Sequence, residues 1–159
     1  MIIRKLHEKD HEVYRLLFDE AYREYLWSLR YNDPEQYRKE KCEMRSVSHE
    51  RFDFYRKTGS SFVAQEKGKV IGYVATQTIA FMRGLDKTLW IEYIVTKKEY
   101  RKHGIATALL EKLRDYAKQH QIDTIYATIN PDNVASIKLH QKLGFNVKNW
   151  ITASIQTKQ

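Results

Sequence analysis

The stretch that most constrains this chain is Trp90–Leu110, WIEYIVTKKEYRKHGIATALL. A β-branched and aromatic run, Trp90 to Val95, passes through a short basic turn. It then becomes a helix whose apolar side repeats at Ile105, Leu109, Leu113 and Ala117. A strand that feeds a tight turn and opens a helix leaves several backbone N–H groups without acceptors, at the positive end of the helix dipole. Such an end accommodates phosphate oxygens. Gly104 permits backbone angles closed to other residues, and Ala106 keeps the next contact small. Arg101, Lys102 and His103 add positive or titratable charge beside it. An ordinary strand-to-helix connection with a solvated basic turn shows the same Gly-x-Ala, so this motif alone does not choose.

A length of 159 residues, 42% hydrophobic and 30% charged, predicts one domain over residues 1–159 with a single core. The lone Cys42 excludes an internal disulfide framework and a Cys-rich zinc site, in keeping with a reducing cytosol. Met1-Ile2-Ile3-Arg4-Lys5 lacks the apolar core of a signal peptide, and no run is long enough to span a bilayer. The expectation is a soluble cytoplasmic protein with no membrane partner. A net charge of +8 allows three polyanionic partners: nucleic acid, an acidic membrane face or a phosphorylated cofactor. The Lys and Arg residues are spread along the chain, and no helix-turn-helix, zinc-finger or aromatic RNA-binding signature occurs, which argues against nucleic acid.

In chain order, Met1 to Leu6 reads as a strand. Asp10 is placed to cap a helix reaching about Leu29. Asp33-Pro34 predicts the start of a long second helix ending near Thr58-Gly59. These helices carry Tyr14, Phe18, Tyr22, Tyr25, Trp27, Tyr31, Tyr37, Phe52, Phe54 and Tyr55, suited to packing on a sheet or to lining an acceptor pocket. From Ser60 the period becomes two. Strands over 61–65 and 70–76 flank Lys67-Gly68-Lys69 as a hairpin, and a further strand runs from about Lys87 to Val95. Asp123 to Ile129 predicts a fifth strand, Asn133 heads a short helix closed by Gly144-Phe145, and Trp150, Ile151 and Ile155 read as extended. The class is mixed α/β.

The order Arg101-x-x-Gly104-x-Ala106, between a strand carrying Glu92 and an amphipathic helix, resembles the coenzyme A pyrophosphate loop of the GNAT superfamily of N-acetyltransferases. The segment from Asn133 through Ser136, Ile137, Leu139 and His140 to Leu143-Gly144-Phe145 resembles a second signature of that family. Together they cover roughly residues 60 to 150. Lys102 stands where a further Gly is frequent, and His140 where a Tyr is usual. The resemblance implies a GNAT-like, mainly antiparallel sheet with helices on both faces. It also implies acetyl-CoA as co-substrate, with no metal. It places main-chain groups of Tyr93, Ile94 and Val95 on the pantetheine arm and thioester. Arg101, Lys102, His103, Gly104, Ile105, Ala106 and Thr107 would cradle the diphosphate, with Asn133 and Ser136 also at the cofactor. It leaves a homodimer open.

Acetyl transfer from a thioester to an amine needs an uncharged nucleophile, a polarised carbonyl and a proton for the departing sulfur. Glu92, in an otherwise apolar and aromatic run, is the candidate base, since burial raises a carboxyl pKa towards a useful value. An exposed position or a salt bridge is its bland alternative. His140 is the candidate acid, with a packed helical His as the alternative. Trp27 and Tyr31, with Asp19, Glu20 and Glu24 nearby, mark the expected entrance for a small-molecule or peptide amine. His7 and His11 lack a third clustered ligand, and Cys42 lacks a paired His, so metal and acyl-enzyme routes are disfavoured. Two other classes remain open: a non-catalytic acyl-CoA-binding module and a basic nucleic-acid-binding domain.

Overall fold

Five strands form one sheet in the order β1-β2-β3-β4-β5: Ile2–Lys5, Phe62–Glu66, Lys69–Met82, Leu85–Thr96 and Thr124–Ala127. The computed structural model describes residues 1–43, 47–82 and 84–148. Neighbouring strands run antiparallel except β4 and β5, which are parallel. Lys67 and Gly68 both have positive φ, 47° and 80°, and make the tight β2–β3 turn expected from their sequence. β3 runs six residues beyond the Thr76 expected for it, because Gln77 to Ala80 and Met82 find partners on β4.

Among the described residues the α-helices are α1 (His11–Asn32), α2 (Pro34–Glu43), α3 (His49–Lys57), α4 (Ile105–Gln119) and α5 (Val134–Lys142). Tyr73 stacks on Tyr14 of α1 with ring centroids 4.0 Å apart, while its neighbour Gly72 faces Ile105 of α4. Successive strand residues point to opposite sides, so α1 and α4 cover opposite faces. On α4, Ile105, Leu109, Leu113 and Ala117 are all buried, as their four-residue spacing requires. Each large aliphatic side chain there contributes about 2 kcal/mol of burial. The other face gathers Leu6, Tyr14, Leu17, Phe18, Val47, Phe52, Tyr55, Val63, Tyr73 and Ala75. Of the helical aromatics, Tyr14, Phe18, Phe52 and Tyr55 are therefore core, while Trp27, Tyr31 and Phe54 are exposed.

Two expectations are corrected. The single long second helix is two helices, because Ser48 has extended backbone (φ −66°, ψ 157°) and its hydroxyl accepts Arg51 N–H at 3.2 Å as the cap of α3. Asp10 does not cap α1. Its carboxylate receives Arg4 at 2.6 and 2.8 Å and the His7 N–H at 2.8 Å, closing a 3₁₀ turn, Glu8–Asp10, onto β1. The segment holding Trp150, Ile151 and Ile155 lies outside the described residues.

Two compact units make up the chain, Met1–Thr128 with the whole sheet and Ile129–Gln159 with α5. No helix among the described residues is long and apolar enough to cross a membrane.

Candidate active site

Ala75 pairs with Tyr93 and Thr76 with Ile91, so β4 carries one residue more than β3 at this point. The extra residue is Glu92. A bulge of this kind bends the strand and re-aims the side chain it carries. Glu92 is half-buried and has no ion pair or hydrogen bond from its side chain among the described residues. Its charge raises the hydroxyl pKa of both Tyr55 and Tyr93, second in each case to burial, which places the carboxylate on the α1 and α3 side of the sheet.

The bulge coincides with a second break. Pairing between β4 and β5 covers only Thr88 to Ile91 against Thr124 to Ala127. From Tyr93 to Thr96, β4 keeps its pairing with β3, but its other edge faces no strand among the described residues. The main-chain groups of Tyr93, Ile94 and Val95 along that edge are therefore available to an extended ligand, as a strand would be.

Beyond β4 the chain makes one 3₁₀ turn, Lys98–Tyr100, and reaches the start of α4. Lys102 and Gly104 both adopt left-handed backbone, φ 65° and 79°. Gly104 caps α4 without a side chain, and the first helical bond is Ala108 N–H to Gly104 O at 2.9 Å. The N–H groups of Ile105, Ala106 and Thr107 consequently have no acceptor in the cap, and the space beside the Gly104 Cα is open. Alternating backbone hands of this kind turn successive amides into one concavity that accepts an anion. The site fits a diphosphate by this test. Gly72 brings the corner close to the sheet, since a Cβ there would lie 2.8 Å from Val95 O and 3.2 Å from Ile105 Cγ2.

The loop's charges are only partly free. Arg101 donates to Thr96 O at 3.1 Å and pairs with Glu24 of α1 at 2.7 Å, and Lys98 lies 3.8 Å from the same carboxylate. Lys102 and His103 are exposed, with the His103 ring held at 2.8 Å from Arg101 O. Glu24, expected at an acidic entrance, thus faces the loop, and Asp19 pairs with Arg15 at 3.2 Å.

In the second unit, Asn133 caps α5, its side-chain oxygen accepting Ser136 N–H at 3.1 Å. Its cap role is therefore established. His140 is 2% exposed. Its Nδ1 lies 2.8 Å from Ser136 O, a contact that requires the proton on Nδ1, and 3.4 Å from Ser136 Oγ. Nε2 is left with no hydrogen-bond partner among the described residues, and the ring packs edge-on against Phe145.

The expected acceptor residues behave differently. Trp27 and Tyr31 are both exposed and pack edge-to-face at 5.0 Å. Around Tyr93, the neighbour of Glu92, the aromatics are instead Tyr55 and Phe18, with ring centroids 6.3 Å and 5.0 Å away. Tyr55 is among the aromatics expected to pack on the sheet or line an acceptor pocket; Arg51, one turn before it on α3, is not singled out by the sequence. The Ser48 cap that phases α3 was the available signal. Glu8, His49 and Asp53 also converge, but Arg56 reaches both carboxylates, at 3.1 and 2.9 Å, and so already supplies their counter-charge.

A sheet opened beside a helix start rich in free amides defines a class that takes an extended ligand along a strand edge and its anionic end at the helix. Residues 3–145 match the model of the acetyltransferase (GNAT) family, and the chain belongs to that family. It is similar to the [ribosomal protein bS18]-alanine N-acetyltransferase of Escherichia coli (strain K12), 29% identical over 86 residues, 54% of each chain. It is also similar to the L-2,4-diaminobutyric acid acetyltransferase of Nocardia farcinica (strain IFM 10152), 32% identical over 82 residues, 51% of this chain and 40% of that protein. The chain spans about half the length of the curated relatives it matches. An aminoglycoside N-acetyltransferase solved in complex with CoA shares the fold with a TM-score of 0.69 at 18% identity, covering 99% of this chain and 100% of that one.

Proposed function

We propose that this protein is an acetyl-CoA-dependent N-acetyltransferase that moves the acetyl group directly to a primary amine in a ternary complex. Residues 1–159 act as one domain in this reading, which is supported by the family match running across both units. The observation that carries it is a coincidence of three features: the Glu92 bulge, the free β4 edge and the open amides before α4 fall within sixteen residues of one another. The relatives named for acetylating an alanine or diaminobutyric acid, and the aminoglycoside enzyme solved with CoA, support an amine acceptor and a coenzyme A donor.

Acetyl-CoA supplies an activated acyl group. The protein's own groups do the rest. Amides of Ile105, Ala106 and Thr107 hold the diphosphate, helped by the exposed Lys102. The free edge at Tyr93 to Val95 orients the arm, and one of its N–H groups polarises the carbonyl. An aliphatic ammonium with a pKa of about 10 must lose its proton before attack, and Glu92 accepts it directly or through water. As the N–C bond forms, the C–S bond breaks and the nitrogen's surplus proton passes to Glu92 or water; we assign the proton that the departing sulfur takes up to His140, which can give one only in its doubly protonated form. The reaction uses no metal, and we place the protein in the cytoplasm with a small-molecule or peptide amine as partner rather than nucleic acid.

A thiol-release assay with acetyl-CoA against a panel of amines tests donor and acceptor together. Glu92→Gln is expected to lower kcat by about 100-fold while acetyl-CoA affinity persists. Unchanged turnover in both Glu92→Gln and His140→Phe would remove the assignments. A purified chain with no affinity for acetyl-CoA would remove the function itself.

A further inference from the structure

On the α1 and α3 face, two opposite charges stand beside the same pair of rings without meeting each other. Arg51 lies one turn before Tyr55 on α3, hence on the same side of that helix. It is exposed, its main-chain N–H goes to the Ser48 hydroxyl, and its guanidinium has no hydrogen bond or ion pair among the described residues. Glu92, adjacent to Tyr93 in the bulge, is equally unpaired there. Tyr55 and Tyr93 meet edge-to-face at 6.3 Å. Both hydroxyls are pushed up by burial first, then by Glu92, while Arg51 pulls both down. Each ring therefore feels both charges.

Several other charges of α1 and α3 are paired, while Glu12, Glu20 and Glu50 have no ion pair among the described residues. Arg56 and Lys57 pair with Asp53, Arg15 with Asp19, and Glu24 with Arg101. Arg51 and Glu92 are the two charged groups that act on both Tyr55 and Tyr93: one positive fork and one carboxylate, spaced by tyrosine.

We propose that Arg51 is a specificity-determining residue and that the acceptor is an amine bearing a carboxylate, with its ammonium at Glu92, its carboxylate on the Arg51 guanidinium and its carbon frame against Tyr55 and Tyr93. This rests on the acetyltransferase reading above. A planar guanidinium matches a carboxylate with two parallel hydrogen bonds. A singly charged carboxylate balances one Arg, whereas a phosphate dianion is matched better by two cations. A polyamine or aminoglycoside would instead bring further ammonium groups towards Arg51, and like charges at close range are repulsive.

The test is thiol release from acetyl-CoA by the full chain with matched acceptors: lysine, lysinamide and cadaverine, then alanine and glycylglycine against their amides. Acetyl-CoA affinity is measured by calorimetry on the same samples. The carboxylate member of each pair is expected to have the higher kcat/KM, by about tenfold or more. Arg51→Ala should raise KM for the carboxylate members until the ratio approaches one, and Arg51→Lys should restore part of it. The Ser48 cap uses only Arg51 main chain, so both variants keep α3. Amides or cadaverine matching or exceeding their carboxylate partners, an unchanged ratio in Arg51→Ala, or no turnover of any carboxylate-bearing amine by a chain that binds acetyl-CoA each overturn the inference and leave the acetyltransferase reading standing. Absence of acetyl-CoA binding takes down both.

Discussion

Two charged corners of the first unit use polar groups in opposite ways. At Arg4 and Asp10 every group is matched. The Asp10 carboxylate is 3% exposed and receives both Arg4 nitrogens and the His7 N–H, while Arg4 Nε donates to Gln65 Oε1 at 2.6 Å. At Lys102 to Thr107 the backbone bends into left-handed angles, three amides lack acceptors in the cap, and the cationic side chains lie at the surface. A satisfied corner returns its interactions as stability. An unsatisfied corner at the surface keeps its donors in water, where they can be exchanged for ligand oxygens at little cost.

The contrast is broken most strongly at the matched corner. Asp10→Ala leaves the Arg4 charge without its buried partner and is expected to cost about 3 kcal/mol of stability, read by denaturant unfolding, with acetyl-CoA affinity little changed. Burial pushes the Asp10 carboxyl up, but Arg4 and the His7 N–H outweigh it and hold the carboxyl below its ordinary range. A depressed folded pKa means the stabilisation is present above the unfolded value, about 3.9, and is lost as pH falls through the folded value. The wild type should therefore lose this stability only in acid below the ordinary carboxylate range, and the variant's curve should be flatter there. Equal acid sensitivity in both would show that the pair is not what holds the corner.

At the open corner the expectation reverses. In Gly104→Ala the added methyl meets nothing within 4 Å, so the protein bears only the left-handed strain, about 1 kcal/mol. The same methyl stands where a diphosphate would approach the main chain. Acetyl-CoA affinity should fall by about tenfold, or about 1.4 kcal/mol, measured by calorimetry. A variant that lost stability yet bound acetyl-CoA normally would mean that this helix start is not the cradle.

The legible and illegible parts divide by the range of the interaction. The α4 stripe at Ile105, Leu109, Leu113 and Ala117 follows from helical period alone, and the Lys67-Gly68 turn from local backbone chemistry. The bulge at Glu92 could not be read, because which residue is skipped depends on where Ala75 and Thr76 of another strand fall. The break between α2 and α3 was hidden because Val47-Ser48 sits inside a charged run that continues the helical pattern, and a Ser cap competes with a Ser helix interior. Arg51 and Tyr55 reach the neighbourhood of Glu92 only through packing of α3 on the sheet, where Tyr55 meets Tyr93 ring to ring at 6.3 Å. Trp27 and Tyr31 drew attention by residue type, yet both are exposed.

The smallest effect is expected at Lys102, and it separates two contributions that the open corner combines. Lys102 holds φ at 65° although it is not glycine, and this is the position where a glycine is frequent in the family loop. A non-glycine residue in that region costs about 1 kcal/mol or somewhat more, so Lys102→Gly should relieve strain and recover part of it, less what glycine loses by its greater freedom in the unfolded chain. The net gain is expected to be about 0.5 kcal/mol. Acetyl-CoA binding should weaken a few-fold at low salt and hardly at high salt, because the lost ammonium is exposed and acts through screened attraction rather than through a fixed hydrogen bond. If affinity instead fell equally at all salt concentrations, Lys102 would be gripping the ligand directly, and the backbone would no longer be the main source of binding at this corner.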